Sequence, residues 1–220
     1  MAANPAIGIE VAAKQKPGNR RLPYTEEDAA LLLRLARAEK GARHWVPWLL
    51  AFTGARLEEV CQSVVRDIRE DKGVWYLDIN ADHETKSLKN AGSARKVPLH
   101  PALITEGFLD HIRALPADGP LFPDLSPDRF GRRGGNGTKI IGRWVRASGI
   151  TDPRKAPNHA WRHRFKDVCR GAGIEKAVHD ALTGHASGDV GDGYGLGYPL
   201  GVLAMAITKL PNPLEDARGE

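Results

Sequence analysis

Cysteine is nearly absent from this sequence, and so is any long apolar run. Only Cys61 and Cys169 occur among the 220 residues, each in an apolar, helix-like context, which indicates reduced core thiols rather than a disulfide framework. The longest apolar stretch, WVPWLLAF at 45–52, is far too short to span a bilayer. The N-terminus lacks the basic start and apolar run of a signal peptide. We therefore expect a protein of the bacterial cytoplasm with no membrane partner.

The signatures of bound nucleotide and bound metal are also missing. The segment GRRGGNGTK at 131–139 superficially resembles a phosphate-binding loop, but the G-K-[ST] ending is absent and no strand precedes it. His159 and His163 could bind zinc from one helix face, but third and fourth ligands at ordinary spacing are lacking. The sequence therefore predicts no metal and no cofactor, and a basic loop before a helix at 131–139.

The hydrophobic pattern predicts a mainly α-helical domain. The first helix should begin at Thr25, a plausible N-cap followed by three acids, and the second, HWVPWLLAFTG, is apolar on most sides and should be central. Two segments alternate like strands, 73–80 and 95–99, with an exposed turn between them. Helices dominate afterwards, at roughly 101–114, 137–148, 158–172, 175–183 and 200–209. The expected fold is mainly α with a small three-stranded antiparallel β-sheet at one edge.

Polar residues that could act together are spread over three of these segments. His159 and Arg162 are spaced i, i+3 on a helix, so both heads can reach one ligand, although a solvated helix face is the alternative. Arg56 follows a Thr-Gly pair at the end of the apolar helix, where a pairing with Glu59 one turn on is the alternative. The run LTGHASGDVGDGYG at 182–195 then places a histidine and a tyrosine on either side of a Gly-rich connector.

In chain order these residues resemble the catalytic residues of the tyrosine recombinase (phage integrase) family. That family has an arginine in a T-G-x-R-x-x-E context, a lysine in a β-hairpin turn, H-x-x-R, G-H, and a tyrosine about nine residues on. TGARLEE, ETKS, HAWR, TGH and GDGY match it in order, over roughly residues 22 to 210. Each motif is weak alone, and the ordered set is specific. It consists of Arg56, Lys86, His159, Arg162, His185 and Tyr194.

The resemblance implies a role for each member of this set. Two arginines would clamp the non-bridging oxygens of a DNA phosphate, and two histidines would add hydrogen bonds or move a proton. Tyr194 would be the nucleophile, forming a 3′-phosphotyrosine without metal or ATP, and Lys86 would protonate the departing 5′-oxygen. Lys89 is the alternative acid. Tyr198 is the alternative nucleophile, but it lies thirteen residues from His185 instead of nine.

The resemblance also implies double-stranded DNA as the partner, in keeping with a formal net charge of +5. The segment 129–146 has six Lys or Arg and no acid. Arg95 and Lys96, on the second strand, are expected to contact phosphates or solvent. We expect a tetramer on DNA and a monomer in solution. The predicted DNA contacts are Lys89, Arg129, Arg132, Arg133, Lys139 and Arg143.

Domain organisation follows from the same resemblance. Residues 1–22 are expected to be a basic arm and 23–220 a catalytic domain, with the family's core-binding domain absent from this chain. The apolar tail could pack on its own core or on a neighbouring protomer, and the sequence leaves both open. The expected function is site-specific cleavage and rejoining of DNA. The alternatives are a type IB topoisomerase and a non-catalytic DNA-binding module derived from a recombinase.

Overall fold

A computed structural model describes residues 20–89, 91–185 and 197–216. In chain order its elements are α1 (Glu26–Ala36), α2 (Ala42–Thr53), α3 (Leu57–Cys61), β1 (Ile68–Asp71), β2 (Val74–Ile79), β3 (Arg95–Pro98), α4 (Pro101–Thr105), α5 (Phe108–Arg113), α6 (Gly134–Ala147), α7 (Pro157–Gly171), α8 (Lys176–Thr183), α9 (Leu200–Ile207) and α10 (Pro213–Asp216). Within these described ranges, no helix is both long enough and apolar enough to cross a membrane.

Helix α2 is the centre of the core, as its apolar sequence predicts. Nearly all of its residues are buried, including Trp48 and Phe52, and it packs against α1, α3, α6 and α7. Helix α1 begins where expected, because the Thr25 hydroxyl accepts a hydrogen bond from the Asp28 backbone while the Asp28 carboxylate accepts one from the Thr25 backbone. The residues that precede and follow α2 are therefore held by the most buried element of the domain.

The sheet has three antiparallel strands in the order β1–β2–β3. Ile68, Leu77 and Val97 lie opposite one another across it and face the core. Strand β1 had no sequence signal of its own, because after Ile68 its residues are charged and exposed. A charged edge strand of this kind resists pairing with other chains.

Helix boundaries differ from the predicted ones at two places. The single helix expected over 101–114 is two short helices, since the chain turns at Gly107, whose φ of +94° is strained for any residue with a side chain. Helix α6 begins at Gly134, inside the segment expected to be a loop. Gly137 lies so close to Cys61 that an added Cβ would come within 2.5 Å of its Sγ. The glycines therefore let α6 pack tightly on α3.

The tail packs on the chain's own core as far as residue 216. Helix α9 lies against β3 and α8 and buries Leu203 and Ile207, while α10 lies against α1. Met205 and Val202 face solvent on the other side of α9. The described part of the tail therefore contacts the core of its own chain.

His100 joins this tail to the core and should make stability depend on pH. Its Nδ1 accepts from the Ala102 backbone and its Nε2 lies 3.0 Å from the Leu210 carbonyl, so a neutral ring protonated at Nε2 satisfies both. Burial lowers the pKa of His100 below its ordinary value. Below about pH 6.5 the His100 imidazole therefore binds a proton more readily in the unfolded chain than in the folded one. We expect the melting temperature to be highest above that pH and to fall as the pH drops through the lower, folded-state pKa.

The matched variant for this prediction is His100→Asn. Asparagine can also cap α4 but does not titrate, so this variant should be less stable near neutral pH and show a shallower loss on acidification. Other histidines also have a lowered pKa, and they contribute equally to the dependence of melting temperature on pH in the wild type and in the variant. The difference between the two slopes therefore isolates His100. Identical slopes would show that His100 does not contribute.

Candidate functional site

Arg56 is held in place by the turn that ends α2. Gly54 closes this helix with a φ of +60°, and a Cβ there would come within 2.4 Å of the Phe165 ring. Arg56 is the first residue before α3, where its backbone N–H donates to the Glu59 carboxylate at 2.9 Å. Its Nη1 donates to the same carboxylate at 2.6 Å, and 22% of the side chain is exposed. The Arg56–Glu59 pair exists, and it fixes the guanidinium at the surface of the domain.

Arg162 of α7 reaches the same turn from the other side. Its Nη1 donates to the Gly54 carbonyl at 2.9 Å. Burial, together with the nearby charges of Arg56 and Arg95, lowers the pKa of Arg162 to about 10, so it stays protonated at neutral pH. The structure thus brings together the two arginines that the sequence selected, because each binds one end of the short segment 54–59.

A third arginine, Arg95, completes the cluster. The expectation that Arg95 contacts phosphate or solvent is wrong, since its side chain is 7% exposed and donates from Nη2 to the Glu59 carboxylate at 2.8 Å. Burial alone would raise the pKa of Glu59, but Arg95 and Arg56 outweigh it and hold this pKa below its ordinary value. Glu59 is therefore an anion shared by two guanidinium groups.

A second buried carboxylate lies beneath the histidine that follows α8. Asp180 accepts from Lys166 at 2.8 Å and from Lys176 at 2.7 Å. Burial would raise its pKa, yet the two ammonium groups lower it to about 2. The Asp180 carbonyl also accepts the backbone N–H of His185 at 3.0 Å. The cationic side chains around the two carboxylates outnumber them, so the cluster is suited to bind an anion.

Both predicted histidines have a pKa below the ordinary value, which favours the neutral ring, and both lie within the field of this cluster. Burial and the charges of His163 and Arg162 lower the pKa of His159. The charge of Lys166, followed by burial, lowers the pKa of His185, and Arg162 adds to the effect. Arg162 thus contributes to the lowered pKa of both rings, so its charge reaches His159 as well as His185. Each neutral ring can donate one hydrogen bond and accept another.

The Lys86 side chain is buried and is not presented to solvent beside Arg56 and Arg162. Its ammonium is 2% exposed and donates to Asp67 at 2.7 Å, to Asn80 at 2.8 Å and to Asp82 at 2.9 Å. Lys89, by contrast, is exposed in the same hairpin. Sequence reasoning had no means of finding the Asp67 partner, because it lies nineteen positions from Lys86.

Most of the predicted DNA contacts of the basic segment are exposed. Arg129, Arg132, Lys139 and Arg143 are exposed, and Arg133 is half-buried. Arg146, the sixth cation of the segment, is bound to three backbone carbonyls and is structural. At Gly131 an added Cβ would come within 3.0 Å of the Thr85 methyl group. The basic loop therefore packs beside the hairpin that contains Lys86.

Tyr194 lies outside the described residues, so its placement is not part of the geometry above. Tyr198 is described: it is 39% exposed and stands one residue before Pro199, which caps α9. Among the described residues, no group of three or more His, Cys, Asp or Glu side chains is arranged to bind a metal ion.

Comparisons with known proteins agree with the fold. No family model matches the chain. The chain is 28% identical over 172 positions to the tyrosine recombinase XerA of Pyrococcus furiosus, a match that covers 74% of this chain and 53% of that protein. The chain thus spans about half the length of the curated relative that it matches.

Solved structures show the same architecture. An integrase from mycobacterium phage Brujita aligns with a TM-score of 0.62 at 20% identity, covering 90% of this chain and 61% of that one. The XerA recombinase aligns at 0.57 and 17% identity, covering 97% and 67%. The Tn1549 transposon integrase, in complex with transposon right end DNA, aligns at 0.56 and 18%, covering 93% and 66%. These likenesses confirm the predicted fold class, mainly α with a three-stranded antiparallel sheet.

Proposed function

We propose that this chain, which belongs with the tyrosine recombinases, breaks and rejoins DNA strands at a specific site through a covalent bond between Tyr194 and a 3′-phosphate. The observation that carries the proposal is the paired presentation of Arg56 and Arg162, each fixed by a hydrogen bond to segment 54–59. Charge builds on the non-bridging oxygens when a phosphodiester is attacked. Guanidinium groups already fixed in place stabilise that charge without having to reorganise.

The reaction is a transesterification, in which one phosphoester bond replaces another. The Tyr194 oxygen loses its proton and bonds to phosphorus, the bond from phosphorus to the 5′-oxygen breaks, and the departing 5′-oxygen takes a proton from Lys86 and leaves as a hydroxyl. His159 or His185, whose lowered pKa favours the neutral ring, can accept the phenol proton or donate to a phosphate oxygen. Attack by a 5′-hydroxyl then reverses the step and joins the strands. Because the phosphotyrosine retains the bond energy, no ATP is consumed.

DNA is proposed to lie across the surface that presents Arg56 and Arg162 and across the basic segment 129–146. The exposed residues Arg129, Arg132, Lys139 and Arg143 would bind phosphates, together with Arg133 and Lys89. Affinity for DNA should therefore fall steeply with added salt. The proposed assembly on DNA is a tetramer, with a monomer in solution.

The proposal is tested by trapping the covalent intermediate in the presence of EDTA. The substrate is a pool of nicked duplexes with randomised flanks. Cleavage near the nick releases a short strand with the 5′-hydroxyl, and because this strand dissociates, rejoining is prevented and the protein stays attached to DNA. Because guanidinium groups supply the positive charge, we expect the same amount of adduct with and without excess EDTA. Denaturing gel electrophoresis measures the adduct, and peptide mapping locates it. Adduct or nicking that disappears on chelation and returns with Mg²⁺ or Zn²⁺ would instead indicate a metal-dependent nuclease.

A further inference from the structure

Arg95 connects three segments that contain proposed catalytic residues. It opens β3 and faces the same side of the sheet as the fully buried Val97. Besides its bond to Glu59, its Nε donates to the Leu182 carbonyl at 2.7 Å and its Nη1 to the Ser93 carbonyl at 2.8 Å. A single buried guanidinium thus joins α3, the hairpin and the end of α8.

Each of these contacts lies next to a residue of the proposed reaction. Glu59 holds Arg56, and the Ser93 hydroxyl lies 3.4 Å from the Arg56 Nη1. Leu182 is three residues before His185, and the turn between them passes Gly184 at a φ of +62°. An added Cβ at Gly184 would come within 2.8 Å of the Arg95 Nη1. The position of Arg95 therefore constrains both the Arg56 head group and the start of the His185 segment.

Charge sharing gives Arg95 a further effect on Arg56. Glu59 bears one negative charge and is 3% exposed, so it needs a cationic partner. Without Arg95, Arg56 would be its sole partner among the contacts described here, and the pair would be neutral. With Arg95 present, the three groups together retain one positive charge. Arg56, 22% exposed against 7% for Arg95, is the more accessible of the two guanidinium groups.

We propose that Arg95 is a positioning residue for the cleavage step: held by the Leu182 and Ser93 carbonyls, it neutralises Glu59, so that the charge of Arg56 acts on the scissile phosphate. This inference rests on the proposed function. It predicts that loss of Arg95 slows cleavage through Arg56, with little effect on DNA affinity.

The test compares Arg95→Met with wild type on two trapping substrates, one ordinary and one in which a methyl group replaces a non-bridging oxygen of the scissile phosphate. On the ordinary substrate we expect a loss of about 10- to 100-fold in the single-turnover cleavage rate, the range found when groups that orient reacting residues are removed. The methylated phosphate is neutral and has less need of a guanidinium, so there the loss should largely disappear. The control is Arg69→Met, which removes an exposed, carboxylate-paired arginine from the same sheet. It should cleave both substrates as wild type does.

Two further variants keep the test decisive. Arg95→Lys retains a charge opposite Glu59 but cannot also donate to Leu182 and Ser93, so it should recover part of the rate even if Arg95→Met folds poorly. In Arg56→Ala, adding Arg95→Met should slow cleavage little further, because the two act through one path. An equal loss on both substrates, or an unaffected Arg95→Met, overturns the inference and leaves the proposed function intact. Absence of adduct with wild-type protein overturns both.

Discussion

Replacing Tyr194 with phenylalanine should abolish the covalent protein–DNA adduct and leave DNA affinity unchanged. The substitution removes only the phenol oxygen, which is the atom proposed to attack phosphorus, and retains the ring. Adduct formation should fall below detection, since no other group then forms the phosphoester. Denaturing gels measure the adduct, and a binding titration at fixed salt measures the affinity.

The matched control is Tyr198→Phe, which should form adduct at the wild-type rate. Tyr198 lies four residues beyond Tyr194, and its backbone leads directly into α9, which is packed on β3. Its distance from His185 is thirteen residues, whereas the family pattern requires about nine. An adduct that persists in Tyr194→Phe and maps to Tyr198 would show that the assignment of the nucleophile is wrong.

Lys86→Ala should cleave ordinary DNA at least about 100-fold more slowly and recover when sulfur replaces the 5′-bridging oxygen. A positioned general acid typically contributes about 10²- to 10⁴-fold. An alkoxide is a poor leaving group, comparable to hydroxide from water of pKa about 15.7, whereas a thiol has a pKa of about 8.5 and leaves without help. Single-turnover cleavage of the two substrates measures the recovery.

The structure adds a requirement to this prediction. To protonate the leaving group, the Lys86 ammonium must give up hydrogen bonds to Asp67, Asn80 and Asp82. Its removal also leaves Asp67 with a buried, unpaired charge, which costs about 3–5 kcal/mol, so melting temperatures must accompany the rates. Lys89→Ala is the comparison. If Lys86→Ala is equally slow on both substrates while Lys89→Ala is rescued by sulfur, the acid is Lys89.

Local patterns were enough to predict most of the fold. The apolar sequence of α2 identified the central helix, and alternation identified β2 and β3, because these segments are buried as their own residues dictate. Strand β1 was missed since its position is fixed by pairing with β2 rather than by its own side chains. The helix expected over 101–114 was wrong because one glycine turns the chain there.

The site was predictable where one segment holds both partners, and not where distant segments meet. The i, i+3 spacing of His159 and Arg162 was visible on one helix. Arg95 was misjudged as a phosphate or solvent contact, although alternation with Val97 puts it on the buried face of its strand. The contact of Lys86 with Asp67 could not be inferred, because it depends on how the hairpin folds back on the segment before β1.

The shared carboxylate of Glu59 has a consequence for how this domain can change by mutation. Replacing Glu59 alone leaves two buried or half-buried guanidinium groups without their anion, and replacing Arg95 alone alters the balance in the other direction. Single substitutions at these positions are therefore unfavourable, because loss of Glu59 leaves desolvated guanidinium groups uncompensated and loss of Arg95 removes one of the two cationic partners of a buried carboxylate. A library randomised at one of them should return mainly the parental residue. A library randomised at both together should return compensated pairs, because the two positions are strongly epistatic.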